Sequence, residues 1–221
     1  MNCCQRSGVG QCQGIESVFD QKYAAKELES YRQKGPDRTT RILIEALTAA
    51  GVAGASLLDI GGGVGVIQNE LLKAGAGHAI AVDASSGYLA AAREEAGRQG
   101  HADRITYHYG DFVALAPDIP PADIVTLDRV LCCYHDVASL VDLSAARARR
   151  YYGLVYPRDT WWMRLALPVL NFGFWLRRNP FRTFVHPAKA VETIVHRHAL
   201  KQRFYHKTFI WQVVVYERAK T

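Results

Sequence analysis

The sequence predicts an α/β fold: a mostly parallel sheet with helices on both faces and an antiparallel strand at its C-terminal edge. Short apolar runs alternate with helical stretches, which is the pattern of strands joined by crossover helices. Four glycines crowd the first junction, "LLDIGGGVGVIQ", where a strand must turn into a helix. The last apolar runs, in "RFYHKTFIWQVVVYERA", follow one another with no helix between them. With 221 residues, 49% of them hydrophobic, the chain can bury one sizeable core.

The elements follow in order. "IESVFDQKYAAKELESYRQKG" reads as a helix ending at Lys34, where Gly35-Pro36 stops it. A second helix opens at Asp37 and turns Ile42, Leu43, Ala46 and Leu47 toward a sheet. Residues 1–54 are thus expected to form a tail and a helical lid, and residues 55–221 the core. In the core, "SLLDI", "HAIAVD", "ITYHYGD", "ADIVTLD" and "RYYGLVYP" are the strands, with helices in "GYLAAAREEAGRQG" and "DVASLVDLSAARA" between them. A segment at about 161–187, "WWMRLALPVLNFGFWLRRNPFRTFVHP", interrupts this alternation before the terminal strands.

The glycine loop restricts its ligand. A dinucleotide fingerprint needs G-x-G-x-x-G, but counting from Gly61 the sixth place is Val66, and from Gly63 it is Gln68. The Lys-Ser/Thr pair of a phosphate-binding loop is also missing. Asp59 at the strand end disfavours a pyrophosphate and attracts a cationic group. S-adenosylmethionine carries an ammonium and a sulfonium and no phosphate.

With Gly61, Gly62, Gly63 and Gly65 behind Asp59, and Asp83 ending the next strand, residues 55 to 160 resemble the class I S-adenosylmethionine-dependent methyltransferases. The resemblance implies a Rossmann-like fold and S-adenosylmethionine as cofactor. It places Asp83 on the two ribose hydroxyls, Asp111 on the adenine amino group, and Phe112 or Ala84 along the ring. The methionine end falls near Asp59 and the fourth strand, where the backbone at Asp128 and Arg129 contributes; Arg129 could equally form only a salt bridge. The helical leader and "LDRVLCCYHD" are similar to the magnesium-protoporphyrin O-methyltransferases, with Tyr23 and Tyr31 in the region of their N-terminal lid. That subgroup carries a histidine directly before the tyrosine after strand four; here Cys133 stands there and the histidine is His135.

Direct methyl transfer needs an aligned nucleophile and a place for its proton. Segment 131–136 follows strand four, at the sheet edge where open α/β folds bind ligands. There His135 is the expected base and Tyr134 the residue that positions the acceptor, while His135 could instead cap the following helix. The aromatic segment could roof an apolar acceptor pocket, pack a homodimer or rest on a membrane surface, since its apolar run, broken by Arg164, falls short of the roughly 20 residues that span a bilayer.

The charge of +6, from 27 basic and 21 acidic residues, gives a basic surface without naming a nucleic-acid partner. No nucleic acid is expected, because the segment after strand four lacks the Asn/Asp-Pro-Pro-Tyr/Phe pattern of base amino-methylating enzymes. Five cysteines, Cys3, Cys4, Cys12, Cys132 and Cys133, are an odd number without metal-site spacing, so neither a disulfide framework nor a metal is expected. No stretch reads as a signal peptide, and the expected location is cytoplasmic. The function expected is methyl transfer to a small apolar or aromatic acceptor, at oxygen among other atoms. A non-enzymatic S-adenosylmethionine-binding regulator and a nucleic-acid methyltransferase are the alternatives.

Overall fold

A computed structural model describes residues 9–219, with side chains from residue 14 onward. Three helices lead: α1 (Val9–Val18), α2 (Gln21–Lys34) and α3 (Arg38–Ala50). Then come β1 (Ser56–Ile60), α4 (Val66–Lys73), β2 (His78–Asp83), α5 (Ser86–Arg98), β3 (Ile105–Tyr109), α6 (Phe112–Leu115), β4 (Ala122–Asp128), α7 (Val137–Arg147) and β5 (Ala148–Pro157). The chain ends with α8 (Trp161–Leu176), α9 (Ala188–Arg197), β6 (Leu200–Lys207) and β7 (Trp211–Arg218).

The sheet order is β3-β2-β1-β4-β5-β7-β6. Strands β1 to β5 pair in parallel, while β7 runs antiparallel to both β5 and β6. This is the Rossmann-like architecture expected. Period-two alternation sorts the core into two layers. Leu58, Val125, Leu127, Tyr152 and Leu154 face α7 and α9. Leu57, Ile124, Tyr151 and Val155 face α3 and α4.

Two local expectations are corrected. The leader is not one helix: Asp20 caps a new one, accepting the Tyr23 N–H at 2.8 Å, so α1 and α2 meet at Phe19-Asp20. Helix also begins at Val9, within the stretch read as tail; Cys3 and Cys4 lie outside the described residues, as does the Cys12 side chain. Helix α3 packs Ile42, Leu43, Ala46 and Leu47 on the sheet as expected, and adds Ile44, with Thr39 and Thr40 buried at its start. Helix α8 runs through Pro168, at the cost of one backbone hydrogen bond.

Candidate active site

Strands β1, β2 and β4 end along one edge, and the loops leaving them form the floor of a cavity of about 550 Å³. Its size is that of a small-molecule site. The glycine loop is shaped by its surroundings at two points. Gly61 has φ 64°, and a Cβ there would come within 2.5 Å of a Val130 methyl, so the loops after β1 and β4 meet too closely for a side chain. At Gly62 a Cβ would collide with the Asp59 carboxylate and lie 2.5 Å from the Gln68 amide.

Asp59 itself is fully buried behind the loop and does not line the cavity. The Thr126 hydroxyl donates to it at 2.7 Å and the Gln68 amide at 3.0 Å. Burial raises its pKa to about 6. Asp59 thus anchors the loop from beneath rather than lining the cavity. Gly65 is likewise outside the lining; with φ 81° it caps α4 in the left-handed region.

The other expected cofactor residues, Tyr31, Gly61, Gly62, Gly63, Asp83, Ala84, Asp111, Phe112, Asp128 and Arg129, all line the cavity. Asp83 accepts the Gly63 N–H at 3.1 Å and the Ser85 N–H at 2.8 Å. Burial outweighs both bonds and raises its pKa to about 7. Asp111 caps α6 through the Val113 N–H and takes the Tyr134 hydroxyl on both oxygens, at 2.8 and 2.9 Å. Tyr134 is thus tied to Asp111 at the end of the cavity below β2 and β3. Tyr31 sends its hydroxyl to Glu70 (2.5 Å), so its phenol end joins α2 to α4.

Asp128 and Arg129 form the opposite end. The Thr40 hydroxyl donates to Asp128 Oδ2 at 2.5 Å, while Oδ1 is buried with no hydrogen bond. Arg129, at φ 61°, pairs with Asp37 (2.9 Å), donates to the Thr39 hydroxyl (3.0 Å) and lies over the Trp211 ring; its Nε forms a longer ion pair with Asp128 Oδ1 at 3.7 Å. Burial of Asp128 raises its pKa.

His135 lines the cavity and stacks on Tyr134 with ring centroids 5.5 Å apart. It does not cap α7. That cap is Asp136, which accepts the Ser139 N–H at 3.1 Å. The brace of this turn is His186, whose Nε2 lies 3.0 Å from the carbonyls of both Leu131 and Tyr134. Cys132 and Cys133 form no disulfide, and their sulfurs lie 3.6 Å apart on the cavity wall.

Sequence reasoning missed Phe19, Glu27, Thr40, Phe181 and Trp211, all of which line the cavity. Glu27 had a signal: Tyr23, Glu27 and Tyr31 recur every four residues and so share one face of α2. Its carboxylate accepts the Tyr88 hydroxyl at 2.6 Å, and burial raises its pKa. Phe181 lies in the segment expected to roof an acceptor pocket, whereas Trp211 had no signal, because only chain reversal brings it here. Conversely, Trp161, Trp162, Phe172, Phe174 and Trp175 are not among the lining residues, so the aromatic segment reaches the cavity through Phe181 and Thr183 instead.

Residues 57–150 match a family model described as a methyltransferase domain. These residues are thus a methyltransferase domain. This methyltransferase domain is 28% identical, over 109 residues, to the ribosomal protein L11 methyltransferase of Enterobacter sp. (strain 638). That alignment covers 49% of this chain and 36% of the relative, so the chain spans about a third of the length of the curated relatives it matches. Among solved structures, the methyltransferase is similar to magnesium protoporphyrin IX methyltransferase from Synechocystis PCC 6803 with bound S-adenosylmethionine. The TM-score is 0.69 at 15% identity, covering 97% of this chain and 100% of that one. An O-methyltransferase family protein from Burkholderia thailandensis gives a TM-score of 0.65 at 17% identity, covering 93% and 63%.

Proposed function

We propose that this chain transfers the methyl group of S-adenosylmethionine to an oxygen of a small, largely apolar or aromatic acceptor. One observation carries the reading: the lining holds the carboxylates Glu27, Asp37, Asp83, Asp111 and Asp128 against one guanidinium, Arg129. In a chain of net charge +6 this acidic cavity repels phosphates and favours a cationic ligand.

The residues present fit the cofactor. Asp83 accepts the ribose hydroxyls, and Asp111, with Tyr134 bound to it, meets the adenine edge beside Phe112 and Ala84. The Asp128 and Glu27 carboxylates receive the ammonium, and the Arg129 guanidinium meets the carboxylate. When bound, S-adenosylmethionine supplies a methyl group on a positively charged sulfur. Phe19, Tyr23, Phe181 and Trp211 offer the acceptor an apolar wall, and the leading helices, tied down where the Ser85 hydroxyl donates to the Phe19 carbonyl (2.6 Å), keep water out. His135 accepts the proton that an acceptor hydroxyl loses as its oxygen bonds to carbon.

Calorimetry on the purified chain tests the binding half: S-adenosylmethionine is expected to bind, and a nicotinamide dinucleotide is not. Tight dinucleotide binding with no S-adenosylmethionine signal would sink the reading. Release of S-adenosylhomocysteine that depends on an added phenol or other small hydroxyl compound tests turnover. Release driven by an oligonucleotide instead would replace the acceptor class, and binding without release under any acceptor would favour a regulator.

A further inference from the structure

Helix α8 is apolar on two sides. Its inner side seats Met163, with Leu167 and Phe174 half-buried, and Asn171 bonds both the N–H and the carbonyl of Thr183 at 2.8 Å. Its outer side carries Trp161, Leu165, Val169, Phe172 and Leu176, at steps of four and three residues that place them along one line. They are 75, 65, 72, 60 and 69% exposed. Isolated exposed apolar residues are ordinary, but a helical stripe of five is an interaction surface. A separate element extends it: Phe209, 74% exposed in the turn between β6 and β7, stacks on Trp162 at 4.8 Å.

Charge indicates the partner. Between Thr160 and Val191 the sequence has no Asp or Glu, while Arg164, Arg177, Arg178, Arg182 and Lys189 lie within that span. Arg164 is held by Asp159 at 2.6 Å, but Arg177 and Arg178 stand exposed just beyond the stripe. A second copy of this segment would bring no uncommitted acid to meet them. At 16 residues α8 is about 24 Å long, shorter than the ~30 Å hydrocarbon core, and no described helix is long and apolar enough to cross a membrane. An aromatic and aliphatic stripe bordered by arginines suits the plane where acyl chains meet headgroups.

We propose that α8 and the Phe209 turn dock on the surface of an anionic lipid bilayer, with α8 lying in the interface. Phe181 and Thr183, which line the cavity, follow α8 directly and are tied to it through Asn171 and the edge contact of Phe174 with Phe181 at 5.3 Å. Docking therefore holds this wall of the cavity beside the lipid. The proposal stands independently of which acceptor is methylated.

The test is co-sedimentation of the full chain with phosphatidylcholine vesicles, with and without phosphatidylglycerol. The chain is expected to bind the anionic vesicles, with tryptophan emission moving to shorter wavelength and binding weakening as salt rises. Removing two surface cations, by Arg177→Gln with Arg178→Gln, is expected to lower partitioning about 30-fold, each being worth about fivefold. Leu165→Ser with Val169→Ser is expected to lower it further, and thermal melts of both pairs establish that they fold. No binding to anionic vesicles, or equal binding to neutral ones, overturns the proposal. So does a concentration-dependent dimer, seen by light scattering, that Leu165→Ser with Val169→Ser abolishes.

Discussion

Around the glycine loop the buried carboxylates find their partners inside the chain, whereas α8 turns five large apolar side chains outward. Asp59 is held between Thr126 and Gln68, and Asp83 takes two backbone N–H groups. The loop is tied to β2 through the Gly61 N–H on the Val82 carbonyl and the Gly63 N–H on Asp83. Along α8 only one residue, Met163, is buried, and the side that meets solvent is as apolar as the side that meets the protein. The difference separates two ways of using a ligand. The loop is shaped toward a small molecule that enters a formed cavity, and α8 is shaped toward something outside the chain.

Substitutions at the loop should therefore change chemistry, affinity or stability strongly, and substitutions on the outer face of α8 should leave the isolated fold almost untouched. The largest expected effect is His135→Ala, which should lower turnover on a hydroxyl acceptor by about 10²- to 10⁴-fold with S-adenosylmethionine affinity nearly unchanged. Turnover across pH, under saturating acceptor, checks it: a loss below about threefold would remove His135 from proton transfer.

Asp83→Ala comes next, weakening S-adenosylmethionine by about 1.5 to 3 kcal/mol through lost charge-assisted hydrogen bonds. Its pH dependence has a definite sign. The folded-state pKa of about 7 lies above that of an ordinary carboxylate, so the ligand-free fold is penalised above about 7 and relieved as pH falls through it. The ionised form, which accepts the ribose hydroxyls, is lost as pH falls through about 7. Affinity measured by calorimetry should thus fall as pH drops through about 7, and Asp83→Asn should flatten that dependence.

Gly62→Ala should cost about 1–3 kcal/mol of stability, because the new Cβ meets the Asp59 carboxylate and the Gln68 amide in a site with no room to relax. Chemical denaturation measures it, and an unchanged midpoint would show that the loop shifts freely. The smallest effect is Leu165→Ser on the outer face of α8, expected within about 0.5 kcal/mol in the same assay. A loss of several kcal/mol there would mean that α8 is covered in the free protein, and would erase the contrast between the two regions.

Much of the site could be read from the chain because its residue types have few other uses. A strand-ending Asp59, alternate glycines and Asp83 after the next strand require backbone turns and carboxylates at a sheet edge, and Asp83 stands on the cavity as expected. Asp59 does not, because whether a carboxylate points over or under its loop depends on Thr126 and Gln68, which come from β4 and α4. Tyr134 was legible as a site residue but not as the partner of Asp111, 23 positions away.

The sequence by itself determined the order of strands and helices, the glycine loop and the acids at Asp83, Asp111 and Asp128, since these follow from local periodicity and from residue-specific backbone limits. The tertiary structure alone decided that Trp211 closes the same cavity, that His186 braces the turn after β4, and that Trp161, Phe172 and Trp175 face outward. Those outcomes depend on contacts between residues far apart in the chain, and such contacts are set by how the helices pack across the sheet edge rather than by any neighbour in sequence.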